Sequence, residues 1–168
     1  MRLLNSKTLE FKIFNDEKLP RYAILSHTWG DEEVNFQEMR LIQRLESLPA
    51  HMRENDAYLA ALAAASGLDI SMEWAYVTGR RAGYRKIAET ALITEEEEIS
   101  WLWVDTCCIY KSSSVELQEA INSMYPWYQN SAACIAFLDD AIINPSSTDQ
   151  DFEDELRRSR WVTRGWTL

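Results

Sequence analysis

One stretch near the middle of the sequence, Trp101-Leu-Trp-Val-Asp-Thr-Cys-Cys-Ile-Tyr110, restricts the possible folds more than any other. Its first part, Ser100–Val104, is an apolar and aromatic run too short for a helix. The acidic run Glu95–Glu98 precedes it and the polar Lys111–Ser114 follow. Such a run reads as a strand buried on both faces, in the middle of a parallel sheet. Asp105, Thr106 and Cys107 then leave the strand's carboxyl end, where open α/β sheets keep their ligand crevices. A turn capped by Asp105, with cysteines filling core, explains the same residues, so one strand alone does not decide between a site and a scaffold.

The pattern recurs on both sides. Residues 2–14 offer Leu3, Leu4, Leu9, Phe11, Ile13 and Phe14 to a short strand or extended arm. After Pro20, the apolar run Tyr22–Leu25 ends in Ser26-His27-Thr28-Trp29-Gly30, where Gly30 permits a tight turn. Asp31-Glu32-Glu33 suit the opening of the next helix, whose dipole favours negative charge there. Residues 36–48 have helical apolar spacing that Pro49 stops. Residues 44–79 form an Ala-rich helical insertion, helix-prone from Asp56 to Ala65. Gly83–Glu98 reads as a helix with Tyr84, Ile87, Ala88, Ala91 and Leu92 on one face. Ser113-Ser-Val-Glu116 is a capping box that starts a helix with the stripe Leu117, Ile121, Met124, Tyr125 and Tyr128. Pro126 is expected to kink or shorten that helix. Ala132–Leu138 is a third apolar strand ending in Asp139-Asp140, and Phe152–Ser159 a short helix. Strand, helix, strand, helix, strand implies a three-layer α/β sandwich around a mostly parallel sheet.

The totals limit the function classes. The 168 residues suffice for one domain, and an apolar fraction of 46% with seven Trp indicates a globular chain. A net charge of −10 argues against nucleic acid or anionic lipid as a main partner. Cys107, Cys108 and Cys134 leave an odd thiol and suit a reducing compartment. No apolar run reaches the length of a membrane span, and the start lacks a signal-peptide core, so a cytoplasmic chain is expected. Neither metal-ligand spacing nor a phosphate-cradling glycine loop is present, and no cofactor is expected.

In a parallel sheet the polar clusters Ser26/His27, Asp105/Thr106/Cys107 and Asp139/Asp140 share one edge. Arg160 and Arg164, interleaved with Trp161 and Trp166, suit a phosphate and a stacked ring. They equally suit a closed core whose arginines pair with the many carboxylates. Cys107 and His27 would form a nucleophile–base pair only if the fold brought them within hydrogen-bond reach.

Three motifs, in order, resemble one family. Tyr22-Ala-Ile-Leu-Ser-His-Thr-Trp-Gly30, Trp103-Val-Asp-Thr-Cys-Cys-Ile109 and Arg160-Trp-Val-Thr-Arg-Gly-Trp-Thr-Leu168 are similar to the heterokaryon incompatibility (HET) domain of filamentous fungi. Met1-Arg-Leu-Leu-Asn5, Gly83-Tyr-Arg-Lys-Ile87, Lys111-Ser-Ser-Ser114 and Ala120-Ile-Asn-Ser-Met124 agree with it. The resemblance covers nearly the whole chain except about residues 44–79, so residues 1–168 are expected to be a single HET domain. It implies a distantly TIR-like, flavodoxin-like fold acting in allorecognition and programmed cell death through self-association or partner docking. It also implies a crevice of Ser26, His27, Trp29, Gly30, Asp105, Thr106, Cys107, Arg160, Arg164 and Trp166. Some TIR domains cleave NAD with a glutamate, so an NAD-like nucleotide is the alternative ligand, with Asp105, Glu116 and Cys107 as candidate catalytic groups. The family usually carries an acid where Tyr110 stands, and its third motif continues into Gln-Glu. This sequence stops at Leu168, so a C-terminally truncated domain without intrinsic enzyme activity is expected, with a non-functional remnant as a further alternative.

Overall fold

The computed structural model describes residues 1–53, 55–65, 81–141 and 147–163. Five strands form one sheet: β1 (Arg2–Asn5), β2 (Phe11–Ile13), β3 (Ala23–His27), β4 (Trp101–Trp103) and β5 (Ala133–Phe137), in the order β2-β1-β4-β3-β5. β3 pairs in parallel with both β4 and β5, while β1 joins β4, and β2 joins β1, in antiparallel fashion. β4 therefore has a parallel neighbour on one side only, because the N-terminal segment folds back as a hairpin against it. The expected extended arm is this hairpin, with Leu3 and Leu4 fully buried.

All five residues of β3 are buried, which requires cover on both faces of the sheet. The register shows what supplies it. Ile24 is level with Trp103, whose ring meets Trp127 and Tyr128 edge-on at 5.6 and 6.0 Å. Both aromatics belong to the helix Ser114–Gln129. On the other face, Phe137 is level with His27 and lies 5.8 Å from the ammonium of Lys86, in the helix Ala82–Glu96. From β3 the chain crosses to β4 on one side, then to β5 on the other. Right-handed crossovers must then place the two helices on opposite faces, as observed. The parallel strands follow the 2-1-3 order of flavodoxin-like sheets, with the topological switch between β3 and β5.

In chain order the helices are α1 (Phe36–Glu46), α2 (Ala50–Arg53), α3 (Asp56–Ala65), α4 (Ala82–Glu96), α5 (Asp105–Cys108), α6 (Ser114–Gln129) and α7 (Asp149–Arg158). α1 starts at an Asn35/Glu38 capping box, so Asp31-Glu32-Glu33 stay in the preceding loop instead of opening the helix. α3 lies where the insertion was expected to be helical, and residues 66–80 of that insertion are outside the described residues. In α6, Ser113 accepts the Glu116 N–H, but the Glu116 carboxylate turns away to Arg2 and the Tyr110 N–H, so the expected capping box is only half made. α6 continues through Pro126 to Gln129 and is not shortened by it. It buries Ala120 and Trp127, with Leu117, Met124 and Tyr128 packed partly against the core, and leaves Ile121 and Tyr125 exposed.

α4 is rotated relative to its apolar stripe. It buries Gly83, Lys86, Ile87, Thr90, Ala91 and Thr94, while Leu92, expected inside, is exposed. Gly83 explains the rotation. A Cβ there would lie 2.3 Å from the Glu32 carbonyl oxygen and 2.8 Å from the Glu33 Cα, so only glycine lets the helix touch the loop after β3. Thr90 and Thr94 satisfy their buried hydroxyls on the carbonyls four residues back, at 2.7 Å each. Because the obstructing atoms are backbone, Gly83→Ala must push α4 away from the loop. It is expected to cost about 1–3 kcal/mol, read as a lower midpoint in urea unfolding, whereas Ala88→Gly on the same helix should cost only about 1 kcal/mol.

Candidate functional site

The carboxyl ends of the three parallel strands carry a continuous polar network. β4 runs out through Val104 into the one-turn helix α5, which presents Asp105 at its first position. One carboxylate oxygen of Asp105 is 2.8 Å from His27 Nε2 and the other accepts the Trp29 indole N–H at 2.8 Å. His27 ends β3, and Trp29 lies two residues beyond it, so this carboxylate ties β3 to β4. Burial works to raise the Asp105 carboxyl. The hydrogen bond and charge of His27, the Trp29 N–H and the Lys111 ammonium outweigh it and hold the group below the usual aspartate range. Lys111 also caps the Trp29 ring, 3.8 Å from its centroid.

The other ring nitrogen of His27, Nδ1, faces Glu33 Oε1 at 3.7 Å. The same oxygen accepts the Gly30 N–H at 2.8 Å and pairs with the buried Lys86 ammonium at 2.5 Å, and Lys86 also reaches the Thr28 carbonyl at 3.4 Å. Glu33 therefore draws the loop after β3 onto α4. Gly30 is not needed for a left-handed turn, and a Cβ there would meet only Glu33 Oε1, at 3.9 Å. The required glycine is Gly83.

At the switch between β3 and β5, Thr28 donates to one oxygen of Asp139 at 2.9 Å and Arg160 to the other at 2.6 Å. Asp140 accepts the Arg160 N–H at 2.8 Å and the Ser159 hydroxyl at 2.7 Å, and these bonds hold its carboxyl below the usual range. The Trp161 indole donates to the Ser26 hydroxyl at 3.0 Å. The structure thus brings Ser26, His27, Trp29, Gly30, Asp105 and Arg160 to one edge. Within it, Arg160 spends its charge on Asp139 and Asp140, and Ser26, almost wholly buried, is bonded to Trp161. Arg164 and Trp166 lie outside the described residues.

The remaining candidates sit elsewhere or are enclosed. Thr106 and Cys107 are buried in α5. Burial, with Cys108 beside it, pushes the Cys107 thiol well above its ordinary value, so it stays protonated and is a poor nucleophile. Glu116 pairs with Arg2 at 2.5 Å and accepts the Tyr110 N–H at 2.8 Å. It faces a groove of about 390 Å³ whose walls include Arg2, Asp16, Trp103 and Trp127, none of them in the His27–Asp105 network. Among the described residues no group of three His, Cys, Asp or Glu is placed to hold a metal ion. Glu33 and Lys86 are the residues that sequence reasoning missed. The available signal was a lysine three residues after Gly83, on the stripe Gly83–Ile87–Thr90–Ala91–Thr94 that faces the sheet.

This arrangement binds loops to strands through ionised groups, and acid should loosen it. A carboxyl with a lowered folded pKa adds stability that is complete above the unfolded value, about 4 for aspartate, and is lost as pH falls through the folded one. Asp105→Asn should cost about 1.5–3 kcal/mol at neutral pH and make the remaining stability fall less steeply on acidification. Urea unfolding between about pH 3 and 7 measures both, and an unchanged acid limb would remove Asp105 from this role.

Comparison with known proteins agrees with the first two of the ordered motifs, which lie within the matched span. Residues 22–142, well over half of the chain, match the family described as heterokaryon incompatibility protein (HET). Over 155 residues the chain is 36% identical to the vegetative incompatibility protein HET-E-1 of Podospora anserina. That match takes in 90% of this chain and 9% of the relative, so the chain spans less than a tenth of that protein's length. No solved structure matches. The motif order, the matched span and the likeness over nearly the whole sequence lead to one conclusion: the chain belongs to the heterokaryon incompatibility (HET) family.

Proposed function

We propose that this chain acts in vegetative incompatibility, as a cytoplasmic domain that converts the meeting of genetically different fungal cells into programmed cell death. It does so by self-association or by docking onto a protein partner. The observation that carries the reading is the likeness to the Podospora anserina incompatibility protein over 90% of this chain. The polar edge supports the mode of action. Asp105, Glu33, Asp139 and Asp140 already have protein partners, which suits a rigid recognition scaffold better than a catalytic centre with a waiting carboxylate. The family resemblance implies a distant kinship with TIR domains, with which the flavodoxin-like strand order is compatible, and with it a role as an assembly module of innate immunity.

The alternative is an NAD-cleaving effector. It requires Ser26, Asp105 and Arg160 to exchange Trp161, His27 and Asp139 for a nucleotide.

Inducible expression in a filamentous fungus tests the first reading. Growth arrest on induction is expected, and normal growth in hyphae that accumulate the folded protein would overturn it. Incubation of the purified protein with NAD should release no nicotinamide. Turnover abolished by Asp105→Ala, with the fold retained, would establish the enzymatic reading instead.

A further inference from the structure

The chain holds two histidines, and their settings differ. His51 is exposed in the short helix α2. His27 closes β3 with its side chain 1% exposed, and each of its ring nitrogens faces a carboxylate. Nε2 lies 2.8 Å from Asp105 Oδ1, and Nδ1 lies 3.7 Å from Glu33 Oε1. The charged groups around the ring are Asp105 on α5, Lys111 just after it, Glu33 in the loop after β3, and Lys86 on α4. β5 brings Phe137 level with His27, and the acid beyond that strand, Asp139, is taken by Thr28 and Arg160.

Where the ring protons must sit follows from these contacts. An ionised carboxylate only accepts, so the contact with Asp105 requires a proton on Nε2. A neutral imidazole has one N–H, and Nδ1 is then a bare acceptor aimed at the Glu33 carboxylate. The other neutral tautomer moves the conflict to Asp105, where two acceptors would meet at 2.8 Å. Only the imidazolium carries a proton toward each carboxylate. The oxygen that Nδ1 faces is also the one that fastens the loop. It accepts the Gly30 N–H at 2.8 Å and pairs with the Lys86 ammonium at 2.5 Å. Charge on the ring therefore acts directly on the joint between this loop and α4.

We propose that His27 is a proton-operated tie at the strand-end edge: charged, it holds Asp105 and Glu33 together, and neutral, it releases Glu33 and the loop from Thr28 to Glu33 loosens from α4. Histidine suits this task because its charge ordinarily changes between about pH 5 and 8. The shorter contact is the one that persists. β3 and β4 stay joined through Asp105 and Trp29, and the change is confined to the loop and its seat on Lys86. The sense is opposite to that of the carboxyl groups, which weaken the edge on the acid side, so the edge is tightest between the two. This device does not depend on the function proposed above.

Nitrogen-15 NMR of the 168-residue protein tests it, with His51 as the exposed reference ring. The titration runs from about pH 3 to 9, which spans the carboxyl and histidine windows. When the His27 ring loses its charge, Nε2 is expected to keep the remaining proton. The Gly30 amide and the Lys86 ammonium should shift with the same midpoint. The loop amides should lose about tenfold or more in hydrogen-exchange protection, as an opposite charge within about 4–6 Å shifts an equilibrium. In Glu33→Gln, checked for folding by its thermal melt, the Gly30 amide should no longer follow the ring. The parent titration decides even where that variant does not fold. A ring that changes charge while Gly30 stays still overturns the tie. So does a Gly30 amide that moves only near about pH 4, where carboxyls titrate, or a ring whose charge is the same throughout. None of these results touches the incompatibility reading, which stands or falls on the expression experiment.

Discussion

The carboxylate of Asp105 is the interaction on which the edge of this fold depends. It stands at the end of β4 and takes its donors from the end of β3 and the loop beyond. Even half-buried, an ionised group is costly alone, and it is tolerated because both its oxygens are hydrogen-bonded and cations lie close by. Removing any one donor leaves a half-buried charge short of a partner. The pairing therefore dictates where His27 and Trp29 stand, and through His27 and Glu33 it extends to Lys86 on α4.

This network explains why α4 presents a partly polar face to a sheet otherwise lined by Leu, Ile and Trp. Lys86 is buried so that its ammonium can meet Glu33, and the contact at Gly83 is what allows the loop carrying Glu33 to come near enough. α6, on the opposite face, is held mainly by aromatic contact, with Trp103 against Trp127 and Tyr128. The Tyr22 and Tyr128 hydroxyls find the Trp127 and Leu25 carbonyls. The α4 face is thus secured largely by charge and the α6 face largely by aromatic packing, with the Arg2–Glu116 pair adding charge at the start of α6. Acid acts on both, because Glu116 as well as Asp105 is held below its ordinary range.

Much of the architecture was legible in the residues. Short apolar runs ending in Ser26-His27, Asp105 and Asp139-Asp140 do become parallel strands with a shared carboxyl edge, and the stretches between them become helices. Of the residues named from the family motifs, Ser26, His27, Trp29, Gly30, Asp105 and Arg160 stand at that edge. Errors arose where two local signals competed. Leu92 and Tyr125 fit apolar stripes yet face solvent, because Gly83 in one helix and Trp127 in the other decide which side meets the sheet. Glu116 has the spacing of a capping box, but the guanidinium of Arg2, distant in sequence, outcompetes the local N–H.

The sequence by itself determined the layer order, the chemistry gathered at the strand ends and the membership of the HET family. Those follow from short-range periodicity, turn chemistry and composite motifs, which act over a few residues. Tertiary structure alone decided the partners. Arg160 is neutralised by Asp139 and Asp140, Ser26 is claimed by Trp161, and Glu33 and Lys86 join a network that neither residue signals by itself. The physical reason is that a polar side chain is satisfied by whatever donor or acceptor the closed chain brings within about 3 Å. Which group that is depends on contacts dozens of residues apart.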